Sequence, residues 1–442
     1  MNSKELSRII KENGVVGAGG AGFPTYMKID DRANTILMNC AECEPLLKLH
    51  RQLLQLYAKE ILETFALIAD VIGAKEAIIG IKEEYKQAIG ALEEYIDAYP
   101  KVRIHVLQGV YPMGDEVVLI YEATGKVIRP GGLPIEAGVA VFNVETIYNI
   151  YRGIQKAEPV VDKLVCVVGE VENPVTVRVP LGCTIEEVTA FAGKLTTEHP
   201  VYLLGGPMMG RIGSPQETVT KTTNAIIVLP EEHLIIQKKN RSASIDMKRA
   251  ASACCQCQMC TDLCPRHALG HPIEPHKFMR SAANKDFQDT NVFINTLFCS
   301  SCGLCEMYAC PQGLSPRTLI GEYKAGLRKA GVQIPKDAML LPVKESREYR
   351  KAPEERLTAR LGLTKYEKPA PLQDEVLSVK QVKESLSQHI GAPAKPQVQK
   401  GDRVVRGQVI GAAAEGLSVP IHASINGIVT DVSERYIIIK AK

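Results

Sequence analysis

The sequence predicts a multi-domain chain of mixed α/β and α+β class, with a helical cysteine-rich unit between strand-bearing ones. Three observations lead there. Apolar β runs alternate with helical stretches over residues 1–155, strands and turns dominate residues 160–230 and the tail from 374, and eight of the thirteen cysteines crowd into two matching runs between 254 and 310. A chain of 442 residues has room for about three or four domains.

In the first unit, residues 1–157, the run Thr-Ile-Leu-Met-Asn at 35–39 reads as a strand. Residues 53–72 carry apolar side chains at helical spacing, and 77–80 and 102–106 read as short buried strands flanking a helix at 83–95. Alternation of this kind makes a layered α/β domain. Residues 158–232 have strands near 164–168, 175–179, 201–204 and 225–228 with one helix near 184–193, a compact α+β module. Residues 231–253 are charged and small and read as a linker. The cysteine unit occupies 242–335, and helical patterns at 278–283 and 289–297 favour a helical ferredoxin-like module over the short β-hairpin kind. Residues 336–373, rich in Lys, Glu and Pro, read as a second linker. The last unit, 374–442, is strand and turn, punctuated by Gly401-Asp402, Gly407 and Asn426-Gly427.

Composition excludes several functions. Lys and Arg total 53 against 50 Asp and Glu, a net charge of +3 that gives no reason to expect nucleic acid. No apolar stretch approaches the roughly 18 residues of a membrane span, and the first residues lack a secretory signal pattern. Thiolate clusters need a reducing compartment, so the expected location is the cytoplasm.

The cysteine runs are Cys254-x2-Cys257-x2-Cys260-x3-Cys264-Pro265 and Cys299-x2-Cys302-x2-Cys305-x4-Cys310-Pro311. A tight C-x2-C-x2-C loop offers three thiolates to an iron–sulfur cubane and a distant cysteine the fourth, which in two-cluster proteins belongs to the other run. Two 4Fe–4S clusters are expected, with Cys264 completing the second and Cys310 the first. Zinc ribbons usually stop at paired C-x2-C. The extra residue before Cys310 is a departure from the common pattern.

A second signal lies at Gly17, Gly19, Gly20 and Gly22. The spacing meets the dinucleotide fingerprint, with Glu42 twenty residues on, yet only Val15-Val16 remains upstream to serve as a strand. Backbone this bare lets amides approach a phosphate or a flat ring; a merely flexible loop is the alternative. The pair Cys40 and Cys43 reads as unlinked and buried.

Residues 17–28, followed by Asn39-Cys40-Ala41-Glu42-Cys43-Glu44-Pro45, resemble the flavin-binding signature of the NADH-oxidising subunit of respiratory complex I, and more strongly that of the Rnf complex C subunit. Tyr111 to Glu116, Asn143-Val144-Glu145-Thr146 and the Gly205–Gly210 turn resemble further motifs of that superfamily, in the same order. The tail, with Gly391, Gly401, Gly407 and Ile421 to Gly427, resembles a lipoyl-type domain without the carrier lysine. Its position after the clusters is similar to the cobalamin reductase family of propanediol-utilisation microcompartments.

The resemblance implies a Rossmann-like FMN and NADH domain, a β-grasp (SLBB) domain, a dicluster ferredoxin domain and a barrel-sandwich hybrid domain. It implies that Gly17, Gly19 and Gly20 bed the FMN, that Lys28 meets its phosphate, and that Asn39, Asn143 and Tyr111 belong to the cofactor site. Glu42, Asp115 and Glu116 would line the nicotinamide side, with Glu42 and Glu116 the catalytic candidates. Phe23 would either stack on the dinucleotide or pack in the core, and Lys28 is otherwise a solvated surface lysine. Ala18 and Ala41 replace an arginine and an aspartate of the complex I pattern. The implied function is NADH oxidation with single electrons passing through two clusters to a corrinoid, or as the alternative an electron relay to a protein partner. An adenosyltransferase and a microcompartment shell are the further partners implied, with the microcompartment interior the narrower location. His267, His271 and His276 are more simply structural residues than cobalt ligands. Leu6, Ile9 and Ile10 mark either an encapsulation helix or the first helix of the domain.

Overall fold

The computed structural model describes residues 1–441. Its N-terminal unit carries β1 (Thr35–Cys40), β2 (Glu76–Lys82), β3 (Val102–Leu107), a short β4 (Val110–Tyr111) and β5 (Val139–Asn143), with helices α1 (Ser3–Glu12), α2 (Leu49–Ile72), α3 (Lys86–Glu93), α4 (Glu116–Thr124) and α5 (Val144–Gln155). Four of the strands form one parallel sheet in the order β3-β2-β1-β5. The side chains of β1 alternate between two cores. Ile36 and Met38 pack with Phe65 and Ile147 on the side of α2 and α5, whereas Leu37 packs with Leu119 and Ile120 of α4 on the other. Helices covering both faces explain why these strands read as unbroken apolar runs, and each such buried side chain contributes about 1.5–3 kcal/mol. Leu6 and Ile10 of α1 are fully buried in the same core, and Ser3 Oγ donates to the Val71 carbonyl at 2.9 Å, so α1 is the first helix of this unit.

The next unit has β6 (Asp162–Gly169), β7 (Val175–Pro180), β8 (Pro200–Leu204), β9 (Arg211–Gly213) and β10 (Ala225–Pro230), with α6 (Ile185–Ala190) started by a capping box between Thr184 and Glu187. After it come α7 (Leu234–Lys239) and α8 (Ala243–Ala253). These two helices overturn the expected linker at 231–253: the apolar pair Ile235 and Ile236, hidden among charges, is fully buried.

The cysteine unit is helical, with α9 (Met259–Asp262), α10 (Pro265–Ala268), α11 (Pro275–Asn284), α12 (Asn291–Ile294) and α13 (Pro316–Lys329). Its core is aromatic: Phe278 meets Tyr323 and Phe293 edge-on, at centroid distances of 5.1 and 6.1 Å. The extra residue of the second cysteine run is absorbed by a π-helical turn over Cys305–Ala309.

Residues 336–373 are not a linker either. They hold β11 (Ala352–Pro353), α14 (Glu354–Arg360) and β12 (Leu372–Val376). β11 pairs with β4, and β12 adds an edge strand beside β7, giving the order β12-β7-β6-β10-β8-β9. Leu357, Leu361 and Leu363 are fully buried, and Lys82 pairs with Glu354. A composition rich in Lys, Glu and Pro concealed three leucines, one inside α14 and two in the turn that follows it, all of which are buried.

The tail folds as two small sheets. Strands β13 (Gln381–Ser385), β15 (Arg403–Val404), β18 (Gly427–Val432) and β19 (Tyr436–Ala441) form one, and β14 (Lys395–Pro396), β16 (Val409–Ala412) and β17 (Ile421–His422) the other, around Ile410, Ile421, Val429, Ile437 and Ile439. This unit docks back on the start of the chain, where the Ile390 amide donates to the Ala21 carbonyl at 3.0 Å.

Candidate redox site

In the parallel sheet the chain runs outward from β1 to β2 and β3, then returns to the opposite side of β1 with β5. The break in order between β1 and β5 is a topological switch point, where open α/β sheets place ligands beyond the strand ends. Asn39 and Asn143 stand there as register partners. Asn39 donates to the Gly114 carbonyl (2.9 Å) and accepts from the Ala41 amide (3.1 Å). Asn143 caps α5 by accepting from the Glu145 amide at 2.9 Å, and its Nδ2 lies 3.0 Å from His50 Nε2.

The glycine loop joins these strand ends through the Ala18 amide, which donates to Thr146 Oγ1 in the first turn of α5 at 3.0 Å. It is not a strand–turn–helix fingerprint. Val16 makes one isolated bridge to Pro24, and a 3₁₀ turn, Thr25–Lys28, follows. Gly20 has φ +62°, and nothing lies within 4 Å of where its Cβ would be. The buried polar atoms without a partner among the described residues include His50 Nδ1, on the ring beside Asn143, Thr25 Oγ1 just after the loop, and Asn224 Oδ1, whose amide nitrogen faces Gly19. Bare backbone, a carboxamide pair and unsatisfied polar atoms fit a flavin.

Lys28 Nζ donates to the Val141 carbonyl at 2.6 Å and lies 3.7 Å from a Glu116 carboxylate oxygen. Phe23 is 38% exposed, which rules out the core-packing alternative. Other expected residues are committed elsewhere. Glu42 is buried, and its carboxylate accepts from the amides of Leu49 (2.8 Å) and His50 (3.2 Å) at the start of α2. It is a helix cap, with no free carboxylate for a nicotinamide. Asp115 caps α4 through the amides of Val117 and Val118 and pairs with Arg266 Nη2 at 2.9 Å. The buried Tyr111 donates its hydroxyl to the Cys302 carbonyl at 2.5 Å, pointing to the cysteine unit.

The cysteines line two cavities. One is walled by Cys254, Cys257, Cys260 and Cys310 together with Cys255, which lies outside the run spacing, the other by Cys264, Cys299, Cys302 and Cys305. Each takes three thiols from one run and the fourth from the other, the exchange that the spacing suggests. Among the described residues no three Cys, His, Asp or Glu converge on a single point; thiols spread around a cavity suit a cubane. Burial, aided by Cys310 and other neighbouring thiols, pushes Cys260 up to about 12, and burial pushes Cys264 up to about 11. A metal centre bound there would have to displace those protons. Cys40 is buried and Cys43 partly so, both unlinked. The histidines are structural: His271 Nε2 lies 2.9 Å from the Ile128 carbonyl, His267 Nδ1 3.0 Å from that of Ile273, and His276 Nδ1 2.8 Å from Thr261 Oγ1.

Nothing in the sequence alone points to a role for Glu44 or Arg266. Glu44 accepts from the amides of Met208 and Met209, both at 2.8 Å, and so holds the Gly205–Gly210 turn against the first unit. Arg266 joins the second cavity to Asp115. Only Pro265 flanking a cluster cysteine hinted at a short helix there.

Comparison with known families agrees with this architecture. The Nuo51 FMN-binding domain matches residues 10–152, the SLBB domain 164–212, the 4Fe-4S dicluster domain 253–315 and the RnfC barrel sandwich hybrid domain 367–442. The chain is 40% identical over 439 residues to the cobalamin reductase PduS of Salmonella typhimurium, covering 99% of this chain and 96% of the relative. It is 39% identical to the Citrobacter freundii protein of the same name, at 99% and 96% coverage. The C subunit of the ion-translocating oxidoreductase complex of Edwardsiella ictaluri is 31% identical over 59% of this chain and 32% of its own length. The chain thus combines domains for flavin and iron–sulfur electron transfer.

Proposed function

The chain belongs to the cobalamin reductase PduS family of oxidoreductases, and from that premise we propose that it oxidises NADH and delivers electrons singly, through two 4Fe–4S clusters, to a corrinoid. A bound flavin supplies the exchange between two-electron and one-electron chemistry. In this reading Gly17, Gly19 and Gly20 form its bed, Asn39 and Asn143 its polar floor, and Lys28 the cation for its phosphate. Glu116, half-exposed at the cleft mouth beside Lys28, is the acidic residue left to meet a nicotinamide, and Phe23 is free to stack on it. Glu42 drops out of the catalytic set because its oxygens are used by α2.

The observation that carries the proposal is the position of the second thiol cavity. Tyr111 reaches the Cys302 carbonyl and Asp115 reaches Arg266, so this cavity abuts the flavin-side loop, whereas Cys257 of the first cavity is exposed. Electrons would enter at Cys264, Cys299, Cys302 and Cys305 and leave past Cys254, Cys257, Cys260 and Cys310. Among the described residues no helix is long and apolar enough to cross a membrane.

Anaerobic mixing of reconstituted protein with NADH and cob(III)alamin tests the reading. It expects bleaching of flavin and clusters, followed by the spectrum of reduced cobalamin. The exposed exit cavity also favours a second reading, a relay to a protein partner. Reduction of flavin and clusters with cobalt left untouched would select the relay. An adenosyltransferase taking over the reduced corrinoid inside a microcompartment completes the proposal, and its absence from cross-linked, microcompartment-enriched fractions would remove that part.

A further inference from the structure

Arg266 is placed to do more than join two domains. It stands in the first turn of α10, two residues after Cys264, it lines the cavity of Cys264, Cys299, Cys302 and Cys305, and its charge lies close enough to act on the Cys264 thiol. One end of its guanidinium is used: Nη2 donates to Asp115 Oδ2 at 2.9 Å, with side-chain exposures of only 15% and 10%. Its Nε is buried and has no partner. A buried, unmatched N–H on a cation is costly, so a native structure that keeps one calls for an explanation. Asp115 is itself fixed as the cap of α4, and the pair therefore tethers one end of the guanidinium and restrains the rest.

We infer that Arg266 is a positioning residue for electron entry, its guanidinium held by Asp115 so that Nε–H donates to a sulfur of the cluster in this cavity. This rests on the two-cluster reading above. A cluster held by four thiolates becomes more negative on reduction. A fixed cation and a hydrogen bond to sulfur favour that reduced form and raise the potential. The low dielectric of a buried site strengthens both effects. The same arginine, through Asp115, ties that potential to the loop that carries Glu116 at the cleft mouth.

The test is an EPR-monitored redox titration of the reconstituted full chain and its Arg266→Met and Arg266→Lys variants. The two cluster signals are assigned first with Cys299→Ser and Cys254→Ser. The Met variant is expected to lower the potential of the Cys299-run cluster by at least a tenfold change in its one-electron equilibrium, about 59 mV, and to leave the other cluster unmoved. The Lys variant, which keeps the charge and loses the fork, should fall between parent and Met. If Met substitution costs iron, the Lys variant decides alone by the same direction. Two clusters by iron and sulfide count, with both potentials unchanged or both shifted alike, would overturn the assignment of Arg266. A parent holding a single cluster would overturn the two-cluster reading instead.

Discussion

Replacing Glu42 separates a helix cap from a catalytic acid, because the two roles predict opposite results. Its carboxylate accepts from Leu49 N at 2.8 Å and His50 N at 3.2 Å, and the side chain is only 5% exposed. Glu42→Gln keeps an acceptor oxygen but loses the charge. Exchanging charge-assisted for neutral hydrogen bonds costs about 1 kcal/mol, and losing an anion at a helix N-terminus about 0.5 kcal/mol more. Glu42→Ala leaves two amides unsatisfied in a buried place, for about 3 kcal/mol. Urea unfolding should therefore rank parent, Gln and Ala in that order. Stopped-flow bleaching of the flavin by NADH should stay within about threefold of the parent in the Gln variant. A Gln variant as stable as the parent but about a hundredfold slower, the scale of a lost general acid or base, would refute the capping assignment.

Other consequences follow from the same geometry. Cys310→Ser should abolish the EPR signal of the cluster at Cys254, Cys257 and Cys260 and spare that at Cys299; loss of the Cys299-run signal instead would disprove the exchange. Gly22 has φ +68°, and a Cβ there would lie 2.8 Å from Thr222 Cγ2 and 3.2 Å from His389 Cα. Gly22→Ala should cost about 1–2 kcal/mol of loop strain and weaken flavin binding roughly tenfold, measured by equilibrium dialysis. Burial, with the nearby charge of Arg317, lowers Lys239 from 10.5 to about 8 in the folded state. Its contribution to stability is thus fully present above pH 10.5 and is lost as pH falls through about 8, a difference of about 3 kcal/mol. Between pH 8 and 10 the parent should gain thermal stability relative to Lys239→Met; parallel curves would contradict the shift.

Much of this molecule is legible from local spacing. The strand at β1, the long helix α2 and the helical cysteine unit follow from periodicity, and the spacing also anticipates that Cys310 lines the cavity of the first run and Cys264 that of the second. Where the reading erred, composition masked a short apolar set. Ile235 and Ile236 sit among charges, and Leu357, Leu361 and Leu363 lie in a stretch that resembles a solvated linker. The one extra residue before Cys310 is visible in the sequence, but not its accommodation as a π turn, within which Glu306 accepts from the Thr318 amide at 2.8 Å and the Thr318 hydroxyl at 3.1 Å.

What the sequence determined by itself is the chemistry available: eight cysteines in two cluster-type runs, a bare glycine loop, and asparagines and acids in a recurring order. The tertiary structure alone decided which of those residues are already engaged by the protein's own backbone and side chains. Glu42 turns to α2, Asp115 to an arginine 151 residues away, and Glu44 to a turn 164 residues away. Hydrogen-bonding groups that are buried must find partners, and at such separations the partner is set by how the domains pack, a property that no local pattern carries.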